Sequence, residues 1–189
     1  MMRSPLAAVV CLSWVVAGCG SVPLPQHQAS VGAIQSLRSS DIAPMAVGAF
    51  VKDTKMPARQ DKSVVSRSVT IISPDQDSFA VYLGNVVKTD LEAAGKLDAN
   101  SDMVVQGTLT INELSTGIGT GTGALGAHFI LTRRGTLVFD KDLVARQQWD
   151  GNFVGAVAIP DAINHYQSLY QELAEKLLSD VDFRKAAAR

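Results

Sequence analysis

The sequence is poor in cysteine and aromatic residues, and it lacks an apolar segment long enough to cross a membrane. Cys11 and Cys19 are its only cysteines, which excludes the disulfide framework of small secreted domains. The N-terminal apolar run, residues 6–16, has 11 residues, whereas a membrane-spanning helix needs about 20. Aromatic residues make up 6% of the chain, which disfavours sites that stack on nucleic-acid bases or sugars.

The chain also has no excess of charge of either sign. Its 17 basic and 18 acidic residues give a net charge of −1, and they form no basic patch. We therefore expect neither nucleic-acid binding nor electrostatic attachment to a membrane surface. A length of 189 residues suits one domain with a core large enough to fold without disulfides.

The N-terminus has the organisation of an export signal. Arg3 precedes the apolar run of residues 6–16, and the small residues Ala17 and Gly18 stand where cleavage is expected. Val16-Ala17-Gly18-Cys19 resembles the lipobox of bacterial lipoproteins. This resemblance implies that residues 1–18 are removed as a signal peptide and that the Cys19 thiol carries acyl chains. The alternative is an ordinary signal peptide in which Cys19 is incidental.

Acylation of Cys19 would attach the mature chain to a membrane without a transmembrane helix. One acyl chain holds a protein only marginally, whereas several give a stable anchor. Gly20 follows Cys19, and Ser21 comes next. In Gram-negative sorting, as the resemblance implies, an Asp beside the cysteine retains a lipoprotein at the inner membrane. Its absence predicts the outer membrane, with the domain on the periplasmic face.

The composition of the mature chain, residues 19–189, indicates a short N-terminal tether followed by one folded domain. Residues 19–40 are predicted to form the lipid-anchored cysteine and a flexible tether, because Pro23 and Pro25 lie among small polar residues. A short helical turn is expected around residues 30–37. Residues 41–189 are predicted to form the periplasmic domain.

Within that domain the apolar spacing alternates between strand and helix periods. Strands are predicted over residues 46–52 and 67–73, with a loop over 53–66. An amphipathic helix is predicted from Phe79, capped by Asp77 or Ser78 and ended by Gly95. A strand follows over residues 102–114, with Leu109 and Ile111 on its apolar face and Asn112 on its solvent-exposed face.

The C-terminal part is predicted to form a hairpin and a long helix. The hairpin joins residues 127–132 to 136–149 through the turn at 133–135. The helix opens at Pro160-Asp161 and buries side chains as far as Val181, and residues 182–189 form a basic-ended tail. Antiparallel strands with two amphipathic helices predict an α+β fold, a two-layer sandwich of a mostly antiparallel sheet backed by those helices.

A glycine-rich stretch, residues 117–126, contains Gly121-x-Gly123-x-x-Gly126, the letters of a dinucleotide fingerprint. The fingerprint requires a helix directly after the glycines, to receive the pyrophosphate on its N-terminus. Here a predicted strand follows, so we expect a mobile hairpin connection or a glycine-rich edge rather than a nucleotide site. Such a loop could also contact a partner.

The other polar residues give no catalytic or metal-binding pattern. The histidines His27, His128 and His165 are scattered without metal-ligand spacing, and no nucleophile elbow surrounds a serine. Asp140 and Asp142 share a strand face and are expected to be solvated edge charges. Four aromatic residues could line an apolar groove, although helical spacing more often indicates core: Trp149, Phe153, Tyr166 and Tyr170.

Three features resemble the YajG-like group of periplasmic lipoproteins. They are the motif at Cys19, the helix end at residues 90–95 followed by the strand at 104–109, and residues 149–156 leading into 162–164. The chain is also broadly similar to LptE-type and ABC-transport auxiliary lipoproteins, which have helix-backed sheets attached to lipid. The resemblance implies a non-enzymatic envelope role, with no catalytic residue, cofactor or metal.

Two functional interpretations follow. The first is an outer-membrane lipoprotein whose domain is an accessory or interaction module in envelope maintenance, with an envelope protein or lipid as partner. The second is a lipid-transfer, lipopolysaccharide-assembly or ABC-transport auxiliary component that binds acyl chains in a groove. A solid core and an exposed patch would favour the first, and an apolar cavity beneath the helices would favour the second.

Overall fold

The structure is a computed structural model that describes residues 20–117, 119–152 and 154–189. Cys19 and the predicted signal peptide lie outside these residues, as does Phe153. The described elements are, in chain order, β1 (Ser21–Pro23), α1 (Val31–Arg38), β2 (Ala46–Lys52), α2 (Ala58–Lys62), β3 (Ser63–Ser66), β4 (Val69–Ile72), α3 (Phe79–Ala93), β5 (Met103–Thr116), β6 (Thr120–Arg133), β7 (Thr136–Asp150), α4 (Gly155–Ser179) and α5 (Val181–Ala187).

The strands form a four-stranded sheet and a smaller three-stranded one. The larger sheet has the order β2-β5-β6-β7, with β2 parallel to β5 and the other two pairings antiparallel. The smaller sheet has the order β1-β4-β3, with β1 parallel to β4. The predicted hairpin is confirmed by the antiparallel pairing of β6 with β7. Arg134 and Gly135 form its tight turn, with φ angles of 51° and 76°.

Helices α3 and α4 pack on one face of the four-stranded sheet, α3 against β2 and β5 and α4 against β6 and β7. The predicted α3 is confirmed. The Ser78 side chain caps its first turn by accepting a hydrogen bond from the Val81 amide, and Gly95 follows its end with a φ of 70°. The core between helices and sheet includes Leu83, Leu109, Leu125, Phe129, Tyr166 and Leu173, each at most 1% exposed. The predicted α+β sandwich is therefore confirmed.

Residues 20–40 differ from the flexible tether that the sequence predicts. Residues 21–23 pair in register with β4 as strand β1, and Leu24 is 1% exposed in the core. The Tyr82 hydroxyl donates to the Pro25 carbonyl at 2.8 Å. Burial of a leucine side chain contributes about 1.5–3 kcal/mol, so this segment is attached to the domain. The sequence does not predict this attachment, because the segment is mostly polar and a strand of three residues is too short to show an alternating pattern.

The side chain of His27 fixes the same segment to α3. Its Nε2 lies 2.8 Å from Asp90 Oδ1, and the two side chains are 5% and 1% exposed. The expected helical turn is confirmed as α1, which Ser30 caps through a hydrogen bond from the Ala33 amide. Leu37 of α1 is 2% exposed, so the helix also belongs to the domain.

Two further segments are more regular than the sequence predicts. The expected loop at 53–66 contains α2 and β3, and Asp61 of α2 accepts a hydrogen bond from the Ala80 amide at the start of α3. The expected C-terminal tail contains α5, which buries Phe183 completely. Asp180 separates the two helices and caps the N-terminus of α5. Val181 therefore lies outside α4 and is 79% exposed, whereas the sequence predicts it on the buried face of that helix.

Helix α4 begins earlier than predicted. It starts at Gly155 and contains Pro160 within its second turn, although proline in that position lacks the amide for an intrahelical hydrogen bond. The predicted apolar face is otherwise confirmed, because Tyr166, Tyr170, Leu173 and Leu177 are fully buried. Packing of that face on the sheet outweighs the local cost of the proline.

The predicted alternation of β5 holds only as far as Leu109. The pairing with β6 shifts register between Leu109 and Ile111, which indicates a bulge that reverses the faces beyond it. Asn112, which the sequence predicts to be solvent-exposed, is consequently 2% exposed, whereas Ile111, predicted on the apolar face, is only half-buried. Asn112 is satisfied there by hydrogen bonds with the Gln60 carbonyl and the Tyr166 hydroxyl.

Candidate interaction surface

The face of the four-stranded sheet opposite the helices carries side chains that are partly exposed to solvent. The strand register aligns two cross-strand rows on it, Val51–Thr108–His128–Asp142 and Gln106–Ile130–Asp140. We call the seven residues of these rows the open sheet face. Val51 is 52% exposed, and the other six are half-buried or exposed. The face thus combines β-branched apolar side chains with hydroxyl, amide and carboxylate groups.

A shallow cleft of about 160 Å³ lies in the middle of this face, between β2 and β6. Val51, Thr108, His128 and Ile130 are among its lining residues. Leu137 and Val138 add exposed apolar area at the start of β7, at 51% and 40% exposure. A mixed apolar and polar surface of this kind is typical of non-obligate protein interfaces.

The charged residues of β7 alternate between the two faces of the sheet. On the open sheet face, His128 Nε2 lies 3.3 Å from Asp140 Oδ1, and its Nδ1 lies 3.0 Å from Asp142 Oδ1. Asp140 and Asp142 are 53% and 76% exposed, so the prediction of solvated charges is confirmed. The sequence alone does not pair them with His128, because only the strand register brings these residues together.

Lys141 lies between these aspartates in the sequence and points to the other face of the sheet. Its Nζ lies 2.8 Å from Asp180 and 2.9 Å from Asp182. Burial raises the pKa of Asp180, but hydrogen bonds from Lys141 and from the Phe183 amide outweigh burial and hold that pKa below its usual value. The hydrogen bond to Asp180 is in turn the main cause that raises the pKa of Lys141. This pair joins β7 to the start of α5.

The glycine-rich stretch is largely strand, which corrects the prediction of a mobile loop. Residues 120–126 belong to β6 and pair with both β5 and β7. A Cβ on Gly121 would overlap the Trp149 ring, and one on Gly123 would lie 2.5 Å from Leu169 Cδ1 of α4. These glycines therefore allow an aromatic ring and a helix to approach the sheet closely. No helix begins after them, so they do not form a dinucleotide site.

The aromatic residues proposed for a groove are core residues where the structure describes them. Tyr166 and Tyr170 are fully buried, with their hydroxyls 3.0 Å apart and their rings against Phe79. Burial raises the pKa of both tyrosines above its usual value, and the Tyr166 hydroxyl donates a hydrogen bond to Asn112 Oδ1. Trp149 is 9% exposed and stacks on His165 at a ring-centroid distance of 4.4 Å.

The three histidines lie apart from one another in the structure. His27 contacts α3, His128 lies on the open sheet face, and His165 stacks on the Trp149 ring. In the part of the chain that the structure describes, no group of three or more His, Cys, Asp or Glu side chains has a geometry that could hold a metal ion. Over the same residues, no helix has the length and apolar character needed to cross a bilayer.

The sequence matches no family model and no curated protein. The fold is similar to that of a DUF330-family protein from Xanthomonas campestris, with a TM-score of 0.61 at 11% identity over 87% of this chain and 95% of that one. A minor lipoprotein from Acinetobacter baumannii aligns with a TM-score of 0.45 at 14% identity, over 76% of this chain and 95% of that one.

A further alignment is with the rare lipoprotein B from Shewanella oneidensis. Its TM-score is 0.40 at 10% identity, over 69% of this chain and 89% of that one. At 11% identity, the likeness to the Xanthomonas protein shows similarity of fold and nothing about function. This chain therefore shares its helix-backed sheet with a solved DUF330-family structure.

Proposed function

We propose that this chain is a lipoprotein of the bacterial outer membrane, anchored through Cys19, whose periplasmic domain is a non-enzymatic interaction module. The observation that carries the anchor is the position of Val16-Ala17-Gly18-Cys19 at the end of an 11-residue apolar run. An apolar run of this length is suited to export and too short to span a bilayer. Acyl chains on Cys19 would hold the domain at the membrane.

The packing of the domain supports an interaction module more than an acyl-chain carrier. The space between α3, α4 and the sheet is occupied by mutually packed rings, with Tyr82 and Tyr170 at a centroid distance of 4.9 Å and Phe79 and Tyr166 at 5.4 Å. An acyl chain would have to displace these fully buried side chains. The open sheet face, in contrast, can accept a partner protein without any change in the core.

Replacement of Cys19 tests the anchor. Cys19→Ser should abolish incorporation of a palmitate analogue and release the protein from membranes, because the serine hydroxyl does not form the thioether. Cys11→Ser is the matched control, since it changes the other cysteine of the chain, which lies within the leader, and it should leave labelling intact. Continued labelling and sedimentation of Cys19→Ser would contradict the proposal.

The residue after Cys19 tests the membrane assignment. A Cβ on Gly20 meets no atom within 4 Å, so Gly20→Asp should not disturb the domain. By the sorting rule that the lipobox resemblance implies, this variant should move from outer-membrane to inner-membrane fractions of a Gram-negative host, and Gly20→Ser should remain in the outer membrane. Equal distribution of the two variants would contradict the outer-membrane assignment while leaving the anchor intact.

A further inference from the structure

The residue that follows Cys19 is fixed at one end of the domain. The Gly20 carbonyl accepts a hydrogen bond from the Thr70 amide at 3.2 Å, and Ser21 pairs with Thr70 at the start of β4. Consecutive Cα atoms are about 3.8 Å apart. One peptide unit therefore separates Gly20, at the edge of the small sheet, from the residue that would carry the acyl chains. The tether predicted over residues 19–40 could have extended to about 70 Å.

Three connections of the chain meet at this same end. The Arg67 guanidinium, in the turn between β3 and β4, donates to the Asn152 carbonyl at 2.6 Å. The Gly151 amide, in the connection from β7 to α4, donates to the Gly119 carbonyl in the turn between β5 and β6 at 3.0 Å. We call the region defined by Gly20, Arg67, Gly119 and Asn152 the anchor end.

The anchor end carries exposed apolar side chains. Val154 and Val157, at the start of α4, are 57% and 52% exposed. Val65 of β3, opposite Thr70 in the register, is 43% exposed. Scattered single apolar residues are normal on a surface. These three lie around the point where the proposed anchor joins the domain, where a bilayer would cover them.

From this geometry we infer that the anchor end rests on the lipid bilayer, with Val154 and Val157 in contact with the membrane interface. The inference rests on the proposed acylation of Cys19. A link of one residue between the acylated cysteine and β1 does not allow the domain to move away from the membrane as a long tether would. The strands β5 to β7 then extend away from the bilayer and present the open sheet face sideways to the periplasm.

The opposite end of the domain supplies a matched control. Helix α4 has 25 residues, so its two ends are about 36 Å apart at 1.5 Å per residue. Val181, just beyond its far end, is 79% exposed. If the anchor end faces lipid, Val181 faces the periplasm. Because Cys11 lies in the leader and Cys19 would be acylated, Val154→Cys and Val181→Cys each introduce the single free thiol of the mature chain.

The experiment uses the full acylated protein in phosphatidylethanolamine and phosphatidylglycerol vesicles, with an environment-sensitive fluorophore on the introduced thiol. Nitroxide-labelled lipids should quench the fluorophore at position 154 several-fold more than the one at position 181. Val157→Cys should behave like Val154→Cys. Equal quenching at the two ends of an acylated protein would overturn this orientation and leave the proposed function standing. A mass spectrum without acyl chains on Cys19 would overturn both.

Discussion

The two faces of the four-stranded sheet are built from the same strands but carry different residues. The helix-covered face has Leu109, Leu125 and Phe129, each at most 1% exposed, and glycines where a ring or helix approaches closely. The open sheet face has Thr108, Ile130 and their neighbours, partly exposed to solvent. The comparison indicates that stability resides on the covered face, so the open face can vary in sequence or bind a partner without unfolding the domain.

The largest expected difference between the faces is at the adjacent residues Leu109 and Thr110. Leu109 is 1% exposed and Thr110 is exposed. Leu109→Ala should lower the free energy of unfolding by about 2–5 kcal/mol, because it leaves a cavity in the core. Thr110→Ala should change it by less than about 0.5 kcal/mol. Urea unfolding of the two variants measures both values, and similar losses would mean that the two faces contribute equally.

A smaller effect is expected from adding volume to the covered face. Gly121→Ala places a methyl group against the Trp149 ring and should destabilise the domain by about 1–3 kcal/mol, as overpacking does. It should also change the near-ultraviolet circular dichroism, because Trp149 stacks on His165. Gly32→Ala is the control, since its Cβ meets no atom within 4 Å, and in helix α1 it should be neutral or slightly stabilising. An unchanged Gly121→Ala variant would contradict the close approach.

Much of the architecture could be predicted from sequence because it follows from local periodicity. Helix α3 has both a capping serine at Ser78 and a terminating Gly95, and strand β2 has the predicted bounds. Such signals lie within a few residues of the element that they define. The covered and open faces of β5 were likewise predictable as far as Leu109.

The errors occurred where long-range contacts override local composition. The glycines at 121–126 are typical of a loop, but neighbouring strands and α4 supply the packing that their own side chains lack. Asn112 lies in the core because of a β-bulge between Leu109 and Ile111, and no residue type in this segment predicts that bulge. The cluster of His128 with Asp140 and Asp142 required the register between β6 and β7. The anchor at Cys19 stays a prediction from four consecutive residues that resemble a lipobox, because Cys19 lies outside the described residues.

On the covered side, the pairing of Lys141 with Asp180 predicts a pH-dependent stability of intermediate size. Asp180→Ala removes the cap of α5 and should cost about 1 kcal/mol near neutral pH, whereas Asp180→Asn retains a capping oxygen and should cost less. Because the pKa of Asp180 is lowered in the folded protein, its charged form stabilises the fold above the unfolded pKa, about 3.8. This contribution is lost as pH falls through the lower folded pKa.

Thermal unfolding of the wild type and Asp180→Asn across this acidic range tests the sign. Asp180→Asn and Asp180→Ala both remove the charge. The melting temperature of the wild type should therefore approach that of Asp180→Asn as the carboxylate becomes protonated. Asp180→Ala should remain below both, since it also lacks the cap. If the wild-type advantage over Asp180→Asn were the same at neutral and acidic pH, the ion pair with Lys141 would not be its source.

The smallest effect on stability is expected for His128, on the open sheet face. His128 is 37% exposed and its aspartate partners are more exposed still, so solvent screens both contacts and each contributes little. His128→Ala should change the free energy of unfolding by less than about 0.5 kcal/mol. If the open sheet face binds the envelope partner, the same variant should reduce photo-crosslinking from position 108 in intact cells, whereas crosslinking from Val31 of α1 stays at background. A variant that loses stability without losing crosslinks would mean that His128 stabilises the fold and does not contact the partner, which would contradict the distinction between the two faces.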